Sequence, residues 1–230
     1  MGQTIHLFAG AGGGILADLI LGHNPRVAVE INPERAQLLR LRYPGLEVIT
    51  NDIRRVDFTQ WHGKVDYLHA GIPCPLWSSA RRGMGQPEDL SREVIRATRE
   101  SQPKFIFLEC VPKFRDRWPE FYWKFLDEGY TLSRPLILGA SDVGAPHSRK
   151  RCWIAGYSHQ EGQSIMPFHA EMARLPKIDS SGWEIEPSSL QVDDGVADKW
   201  EMECAGDGQV PLCAAVAWKI LGGPLAPEDR

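Results

Sequence analysis

Short apolar runs alternate with apolar positions at helical spacing along the first two thirds of the chain. The runs Thr4–Phe8 and Arg26–Glu30 have the length and the β-branched residues of buried strands. The apolar residues of 15–20 recur at helical spacing, and the Asn-Pro-Glu of residues 32–34 is typical of a helix start. The same patterns predict strands at Glu47–Thr50, Val65–Ala70, Lys104–Glu109, Thr131–Leu138 and Arg151–Gly156, and a helix at Trp118–Leu126. Strands separated by helices predict a doubly wound, mostly parallel α/β sheet.

The pattern changes after the last predicted strand. Between residues 157 and 200 the apolar periodicity fades, and serine, proline, glycine and acidic residues dominate. Leu212–Leu221 then has the composition of an apolar helix. We therefore predict an α/β domain at residues 1–156, a small loop-rich lobe at 157–200, and a segment at 201–230 that returns to the first domain.

Composition places the chain among ordinary globular proteins. It has 230 residues, of which 43% are hydrophobic and 24% charged, so disorder of the whole chain is excluded. No apolar run approaches the ~18 residues of a membrane-spanning helix, and the first residues lack the pattern of a secretory signal. The five cysteines include no Cys-x-x-Cys pair, which argues against a zinc ribbon and a disulfide framework. We expect a cytoplasmic protein with no membrane contact and predict no metal site.

Charge is distributed unevenly around a formal net charge of −4. Residues 81–151 carry 14 lysines and arginines against 10 acids, whereas residues 152–230 carry 5 against 13. A basic middle segment suits contact with phosphates. Solvated helix faces explain the same counts equally well.

A glycine-rich turn follows the first predicted strand. Residues 8–14 read Phe-Ala-Gly-Ala-Gly-Gly-Gly, and such a turn lets the backbone bend sharply and approach a ligand. Glu30 ends the second strand about twenty residues later, where an acid can accept both hydroxyls of a ribose. Asp52 follows the third strand and is a candidate for an adenine amino group. Together they favour an adenosine-containing cofactor, although a tight turn with two solvated carboxylates remains an alternative.

Two reactive side chains follow neighbouring predicted strands. Cys74 lies between two prolines after the fourth strand, with Arg81 and Arg82 nearby in sequence to favour a thiolate. Glu109 directly follows four apolar residues, which suits a proton donor with a raised pKa beside a ligand cleft. A buried packing cysteine and a salt-bridged edge acid are the structural alternatives.

A pair of arginines precedes the last predicted strand. Arg149 and Arg151 alternate, so they share a face if this segment is extended. Two guanidinium groups on one face suit a phosphate or a base carbonyl. A basic surface edge is the alternative.

In this order, these pieces resemble the motifs of the DNA cytosine-5 methyltransferases. The glycine turn resembles the family's first motif, and Glu30 its ribose acid. Further resemblances lie in Asn51-Asp52-Ile53, Gly71-Ile72-Pro73-Cys74, Glu109-Cys110-Val111, His147-Ser148-Arg149-Lys150-Arg151 and Gly206-Asp207-Gly208-Gln209-Val210-Pro211. The chain departs from the family pattern at His6, Pro75, Cys110 and Gly208, none of which removes a reacting group.

The resemblance implies a Rossmann-like methyltransferase fold, S-adenosyl-L-methionine as cofactor and a flipped cytosine in double-stranded DNA as substrate. It implies catalysis by Cys74, Glu109, Arg149 and Arg151, and DNA contacts by Ser78, Arg81 and Arg82. The implied cofactor-binding residues are Phe8, Ala9, Gly10, Gly12, Gly13, Glu30, Ile31, Asp52, Ile53, Pro73, Gly208 and Val210.

The resemblance also implies a biological setting and leaves alternatives. Residues 157–200 correspond in place to a target-recognition region, and a restriction enzyme is a candidate partner in a prokaryotic or phage-infected cell. A tRNA-directed cytosine-5 methyltransferase would have the same fold and chemistry. A non-catalytic DNA-binding relic is the alternative from another class.

Overall fold

The computed structural model describes residues 2–73, 89–145, 147–159 and 209–224. Several predictions therefore lie outside the described residues. They concern Cys74, Ser78, Arg81, Arg82 and Gly208, together with all but the first three residues of the predicted lobe at 157–200.

The described strands form one eight-stranded sheet. The strands are β1 (Gln3–Leu7), β2 (Asn24–Glu30), β3 (Glu47–Thr50), β4 (Tyr67–Gly71), β5 (Phe105–Cys110), β6 (Tyr130–Leu132), β7 (Leu136–Leu138) and β8 (Arg151–Ser158). Their order is β3-β2-β1-β4-β5-β8-β6, and β7 pairs with β8 as well. Strands β1 to β5 are mutually parallel and β8 is antiparallel to β5. The predicted fold class, a mostly parallel doubly wound sheet, is confirmed.

Helices cover both faces of this sheet. They are α1 (Gly13–Ile20), α2 (Pro33–Arg42), α3 (Ser91–Ser101), α4 (Trp118–Asp127) and α5 (Pro211–Ile220). The buried side chains of α1, α2 and α5 pack on one face, and those of α3 and α4 pack on the other. Helix α2 begins as predicted, because the Asn32 side chain accepts hydrogen bonds from the backbone of Glu34 and Arg35.

The predicted strand Thr131–Leu138 is in fact two short strands, β6 and β7, which pair with successive parts of β8. The break falls at residues 133–135, where Pro135 has no N–H group to continue a ladder. Ser133 keeps the connection ordered, since its backbone N–H donates to the Ala155 carbonyl and its hydroxyl accepts from the Ala155 N–H.

Strand β5 lies at the centre of the core, with all six of its residues buried. On one face, Phe107 stacks on Trp153 at 5.4 Å between ring centroids and meets the edge of Trp218 of α5 at 5.2 Å. On the other face, Ile106 and Leu108 belong to the larger apolar cluster. A strand buried on both faces is held rigidly, so the side chain at its carboxyl end is well placed to carry a site.

Across the described ranges, no helix has both the length and the apolar character needed to cross a bilayer.

Candidate active site

A pocket opens at the carboxyl edge of the sheet, where β1, β4 and β5 end side by side. In doubly wound sheets this edge is where ligands bind. The pocket is lined by Phe8, Ala9, Gly10, Gly13 and Gly14 of the turn after β1, by His6, Leu7, His69 and Gly71 of the strands, and by Glu109 and Gln209.

The glycine turn uses backbone conformations that ordinary residues rarely adopt. Gly10 and Gly12 have φ angles of 55° and 92°, and Phe8 also has a positive φ, of 55°. Gly12 is the N-cap of α1, so the turn connects the buried strand directly to a helix N-terminus at the pocket. A Cβ at Gly13 would lie 2.3 Å from the Gln209 carbonyl oxygen, which shows how closely the two segments approach.

Glu30 pins the glycine turn from the end of β2. One carboxylate oxygen accepts a hydrogen bond from the Gly10 backbone at 2.7 Å, and the other accepts from the Asn32 backbone at 2.9 Å. The side chain is almost fully buried. The next residue, Ile31, is 64% exposed. The buried Glu30 carboxylate is therefore followed directly by an exposed apolar side chain, that of Ile31.

The side chain of Asp52 hydrogen-bonds to the next turn of the chain, whereas that of Ile53 is buried in the core. Asp52 caps a short 3-10 turn, Ile53–Arg55, and accepts hydrogen bonds from the side chain and the backbone of Arg54. These bonds lower the pKa of Asp52 to about 2. The side chain of Ile53 is buried in the larger apolar cluster. The Ile53 side chain is therefore used for core packing, and it is not exposed to the pocket side as a cofactor contact would require.

Glu109 is a buried carboxyl group held at both oxygens. Its Oε1 lies 2.9 Å from Nε of Arg151, and its Oε2 accepts a hydrogen bond from Nε2 of Gln209 at 3.3 Å. Burial raises the pKa of Glu109, and this outweighs the opposing effects of Arg151, Gln209, Arg149 and His69. The raised pKa expected from the sequence agrees with this environment.

Arg149 and Arg151 both act electrostatically on Glu109. Arg149 has a φ of 24°, so the backbone is not extended there, and the condition for both arginines to share a face is not met. The neighbouring Ser148 carbonyl accepts the N–H of Ala140. Arg151 is the first residue of β8 and pairs with Glu109, and the charge of Arg149 also acts on that carboxyl.

The pocket residues His69 and Gln209 were not among the site residues predicted from the sequence. Gln209 reaches Glu109 from a position one hundred residues away in the chain. His69 is buried within β4, and burial lowers the pKa of its imidazole below the usual value. A polar residue inside the apolar run of β4 was the available signal for His69, whereas Gln209 lies within the predicted motif at residues 206–211 but was given no role there.

The raised pKa of Glu109 predicts a pH-dependent contribution to stability. The folded state holds the proton more tightly than the unfolded state does, so the contribution of Glu109 is fully present below the ordinary pKa of 4.5 and is lost as pH rises through the raised value. The difference in unfolding free energy between wild type and Glu109→Gln should therefore fall as pH rises above 4.5. Urea unfolding at a series of pH values measures this difference.

Glu120→Gln is the matched control for this measurement. A hydrogen bond from Lys124, together with Arg117, lowers the pKa of Glu120 against the effect of partial burial. Its contribution should therefore be lost as pH falls below 4.5, the opposite slope. A difference for Glu109→Gln that rises with pH would contradict the environment described for Glu109.

Comparisons with known proteins agree with this architecture. A family model described as C-5 cytosine-specific DNA methylase matches residues 2–202. The type II methyltransferase M.NgoMIV of Neisseria gonorrhoeae is 35% identical over 155 residues, which cover 64% of this chain and 49% of that protein. M.AquIA of Picosynechococcus is 31% identical over 214 residues, which cover 80% of this chain and 84% of that protein.

Solved structures support the fold alone. DNMT2 of Spodoptera frugiperda superposes with a TM-score of 0.62 at 21% identity, over 77% of this chain and 56% of that one.

The match to M.NgoMIV spans about half of that relative's length. The extent of the family match and the identity to M.AquIA are sufficient to assign the family. The chain belongs to the C-5 cytosine-specific DNA methylase family.

Proposed function

We propose that this chain transfers a methyl group from S-adenosyl-L-methionine to carbon-5 of a cytosine in DNA. The observation that carries the proposal is Glu109, a buried carboxyl with a raised pKa at a pocket bordered by the glycine turn. The Ile72 N–H donates to the Glu109 carbonyl at 2.8 Å, so the chain after β4 leaves the sheet beside Glu109. Cys74 follows Ile72 by two residues.

The described residues suit the proposed cofactor. A Cβ at Gly10 would meet only the Phe8 carbonyl oxygen, at 4.0 Å, among described atoms, so open space lies beside this backbone. The Glu30 carboxylate suits ribose hydroxyls, and exposed Ile31 suits an adenine face. Pro73, Asp52, Gly208 and Val210 remain proposed contacts. When bound, S-adenosyl-L-methionine supplies an electrophilic methyl group.

In the proposed mechanism, the Cys74 thiolate adds to carbon-6 of the cytosine and forms a carbon–sulfur bond. The displaced electron pair moves towards the ring nitrogen, where Glu109 donates a hydrogen bond or a proton. Carbon-5 thereby becomes nucleophilic and would form a bond to the methyl carbon, while the methyl–sulfur bond breaks and leaves a neutral thioether. A base, proposed to be water, then removes the carbon-5 proton, and the carbon–sulfur bond breaks to return the thiolate.

The arginines support these steps. The Arg151 guanidinium pairs with Glu109, which orients the carboxyl, and we propose that it also contacts the base carbonyl oxygen. Arg149 is proposed to position the thiolate or a nearby phosphate. Because the target base cannot react inside a duplex, it must be flipped out at a cost of a few kcal/mol. Ser78, Arg81 and Arg82 are the proposed DNA contacts.

Glu30→Ala is expected to weaken S-adenosyl-L-methionine binding by about 1.5–3 kcal/mol, the usual cost of losing hydrogen bonds to a charged group. The loss has two sources, since the variant removes the proposed ribose acceptor and the carboxylate that holds the Gly10 backbone. Calorimetry measures the affinity. Glu34→Ala is the matched control, because Glu34 is an exposed acid only four residues away. Unchanged affinity in Glu30→Ala would remove Glu30 from the cofactor site.

Residues 157–200 are proposed to read the target sequence. Base-edge contacts contribute about 1–3 kcal/mol each, so losing a few would erase specificity. Deleting residues 165–195 should therefore change or abolish site choice while S-adenosyl-L-methionine affinity stays the same. Bisulfite sequencing of DNA methylated by the shortened chain measures site choice. The same sites methylated at the same rate would show that this segment is not the reader.

Methylation assays with labelled S-adenosyl-L-methionine test the proposed function as a whole. Duplex DNA should accept label at carbon-5 of cytosine, and tRNA should not. Labelling of tRNA alone would favour the RNA-directed alternative, and an absence of cofactor binding would favour a non-catalytic relic. A restriction enzyme that recognises the same site is the proposed partner, supported by the similarity to type II methyltransferases.

A further inference from the structure

Four ionisable side chains that the proposed mechanism does not use form a buried cluster beside the pocket. His6 and His69 are register partners on β1 and β4, Asp18 projects from α1, and His23 follows that helix. Their exposed fractions are 2%, 3%, 5% and 4%, respectively. Three imidazoles and a carboxylate in the interior are costly to bury unless each polar atom finds a partner.

The three histidines surround the carboxylate of Asp18. Nε2 of His6 lies 3.1 Å from Oδ2, Nδ1 of His23 lies 3.5 Å from Oδ1, and Nδ1 of His69 lies 3.8 Å from Oδ1. Donor atoms of His6, Asp18 and His69 all lie within 4.8 Å of one another. The donor atoms of a tetrahedral zinc site, with bonds of about 2.0–2.1 Å, are separated by about 3.3–3.4 Å. To hold one ion, the donor atoms of His6, Asp18 and His69 would have to move together by up to about 1.5 Å.

The atoms that face one another in the cluster are unsatisfied. Nε2 of His6, Oδ2 of Asp18, Nδ1 of His23 and Nδ1 of His69 are each buried with no well-directed hydrogen-bond partner among the described residues. Buried polar atoms in native proteins are nearly always satisfied, and an exception points to a bound water or ion. Because His6, Asp18 and His69 each offer a donor atom within 4.8 Å of the others, one shared partner can serve these three residues.

The outer nitrogen of His23 is hydrogen-bonded to the backbone. Nε2 of His23 lies 3.1 Å from the carbonyl oxygen of Pro224, which can only accept, so Nε2 carries the hydrogen. In the neutral ring Nδ1 is then a lone pair that faces a carboxylate oxygen of Asp18. Two acceptors face each other in that form, and either a proton on Nδ1 or a cation beside Asp18 relieves the contact.

We propose that His6, Asp18 and His69 bind one divalent transition-metal ion, with zinc as the best fit to two imidazoles and one carboxylate. The ion would join β1, β4 and α1 directly, and His23 would hold the Asp18 carboxylate in place. Because His6 lies just before the glycine turn and His69 lines the same pocket, the ion would hold the pocket floor in place.

Metal analysis of the purified full chain, prepared without a histidine tag, tests the proposal. We expect about one zinc per chain by mass spectrometry of the metal content. Chelator-treated protein should regain stability when zinc is added, with Tm rising by about 5 °C or more. Cobalt added in place of zinc should give the visible absorption bands of a tetrahedral site. These readouts do not depend on methyltransferase activity, so they stand even if the proposed function fails.

Substitutions in the cluster test whether these residues hold the ion. Asp18→Asn combined with His69→Gln should lower the bound zinc at least tenfold, whereas His62→Gln, which alters an exposed histidine outside the cluster, should leave it unchanged. Metal bound equally by the double variant would place the ion elsewhere and overturn the proposal. So would a wild-type chain that contains no metal and shows no Tm shift with zinc or cobalt, in which case protons fill the cluster. The wild-type measurement decides this even if the variants fail to fold.

Discussion

Cys74→Ser should lower the rate of methyl transfer by more than ~10³-fold while the affinity for S-adenosyl-L-methionine stays near that of wild type. A serine hydroxyl is almost entirely protonated at neutral pH and is a far weaker nucleophile than a thiolate. The proposed cofactor contacts lie mainly on the glycine turn and on β2, which the substitution does not alter. Single-turnover kinetics on duplex DNA and calorimetry with the cofactor measure the two quantities.

Cys213→Ser is the matched control for this variant. Cys213 is buried in α5, where burial raises the pKa of its thiol to about 11, so it cannot act as a thiolate near neutral pH. Its substitution should change stability and leave the rate per folded molecule unchanged. Methyl transfer by Cys74→Ser within about tenfold of wild type would exclude Cys74 as the nucleophile.

Glu109→Gln should lower kcat by about 10²–10⁴-fold, the usual contribution of a positioned acid or base. Glutamine keeps the shape of glutamate and can still hydrogen-bond to the ring nitrogen, but it cannot donate a proton. The affinity for S-adenosyl-L-methionine should change little. Steady-state kinetics at saturating DNA and cofactor measures the loss.

Two further variants separate chemistry from orientation at this carboxyl. Glu120→Gln makes the same substitution on the partly exposed side of α4 and should leave kcat unchanged. Gln209→Ala removes the hydrogen bond to Oε2 while leaving the Arg151 pair, so its effect should be smaller than that of Glu109→Gln. A Glu109→Gln enzyme with the kcat of wild type would exclude proton transfer by Glu109.

The secondary structure followed from local patterns with few errors. Glu47–Thr50 was predicted with its observed bounds, and the start of β8 at Arg151 was also predicted. Helix α3 was not predicted, because apolar residues occupy only a narrow stripe of a largely polar segment. The division of β6 from β7 was missed because the apolar pattern continues across Pro135 and masks the missing donor.

Site residues could be predicted from the sequence where a reactive side chain stands at the end of an apolar strand. Glu109 could be identified because a carboxylate directly after a fully apolar run has few structural explanations. Its partners were less visible. Arg151 was identified as a base or phosphate contact and Gln209 only as part of a motif, whereas the structure shows that both contact Glu109. These contacts join segments that are distant in sequence, so no spacing rule could find them.

By itself, the sequence determined the local features of this protein: the strands and most helices, the glycine turn, and the order of the motifs that mark the family. Only the tertiary structure decided the environments of the ionisable groups. The raised pKa of Glu109 and the convergence of His6, His69 and Asp18 depend on burial and on distances across β1, β4 and α1. Electrostatic energies vary with the separation and the desolvation of charges, and chain position specifies neither until the sheet is assembled.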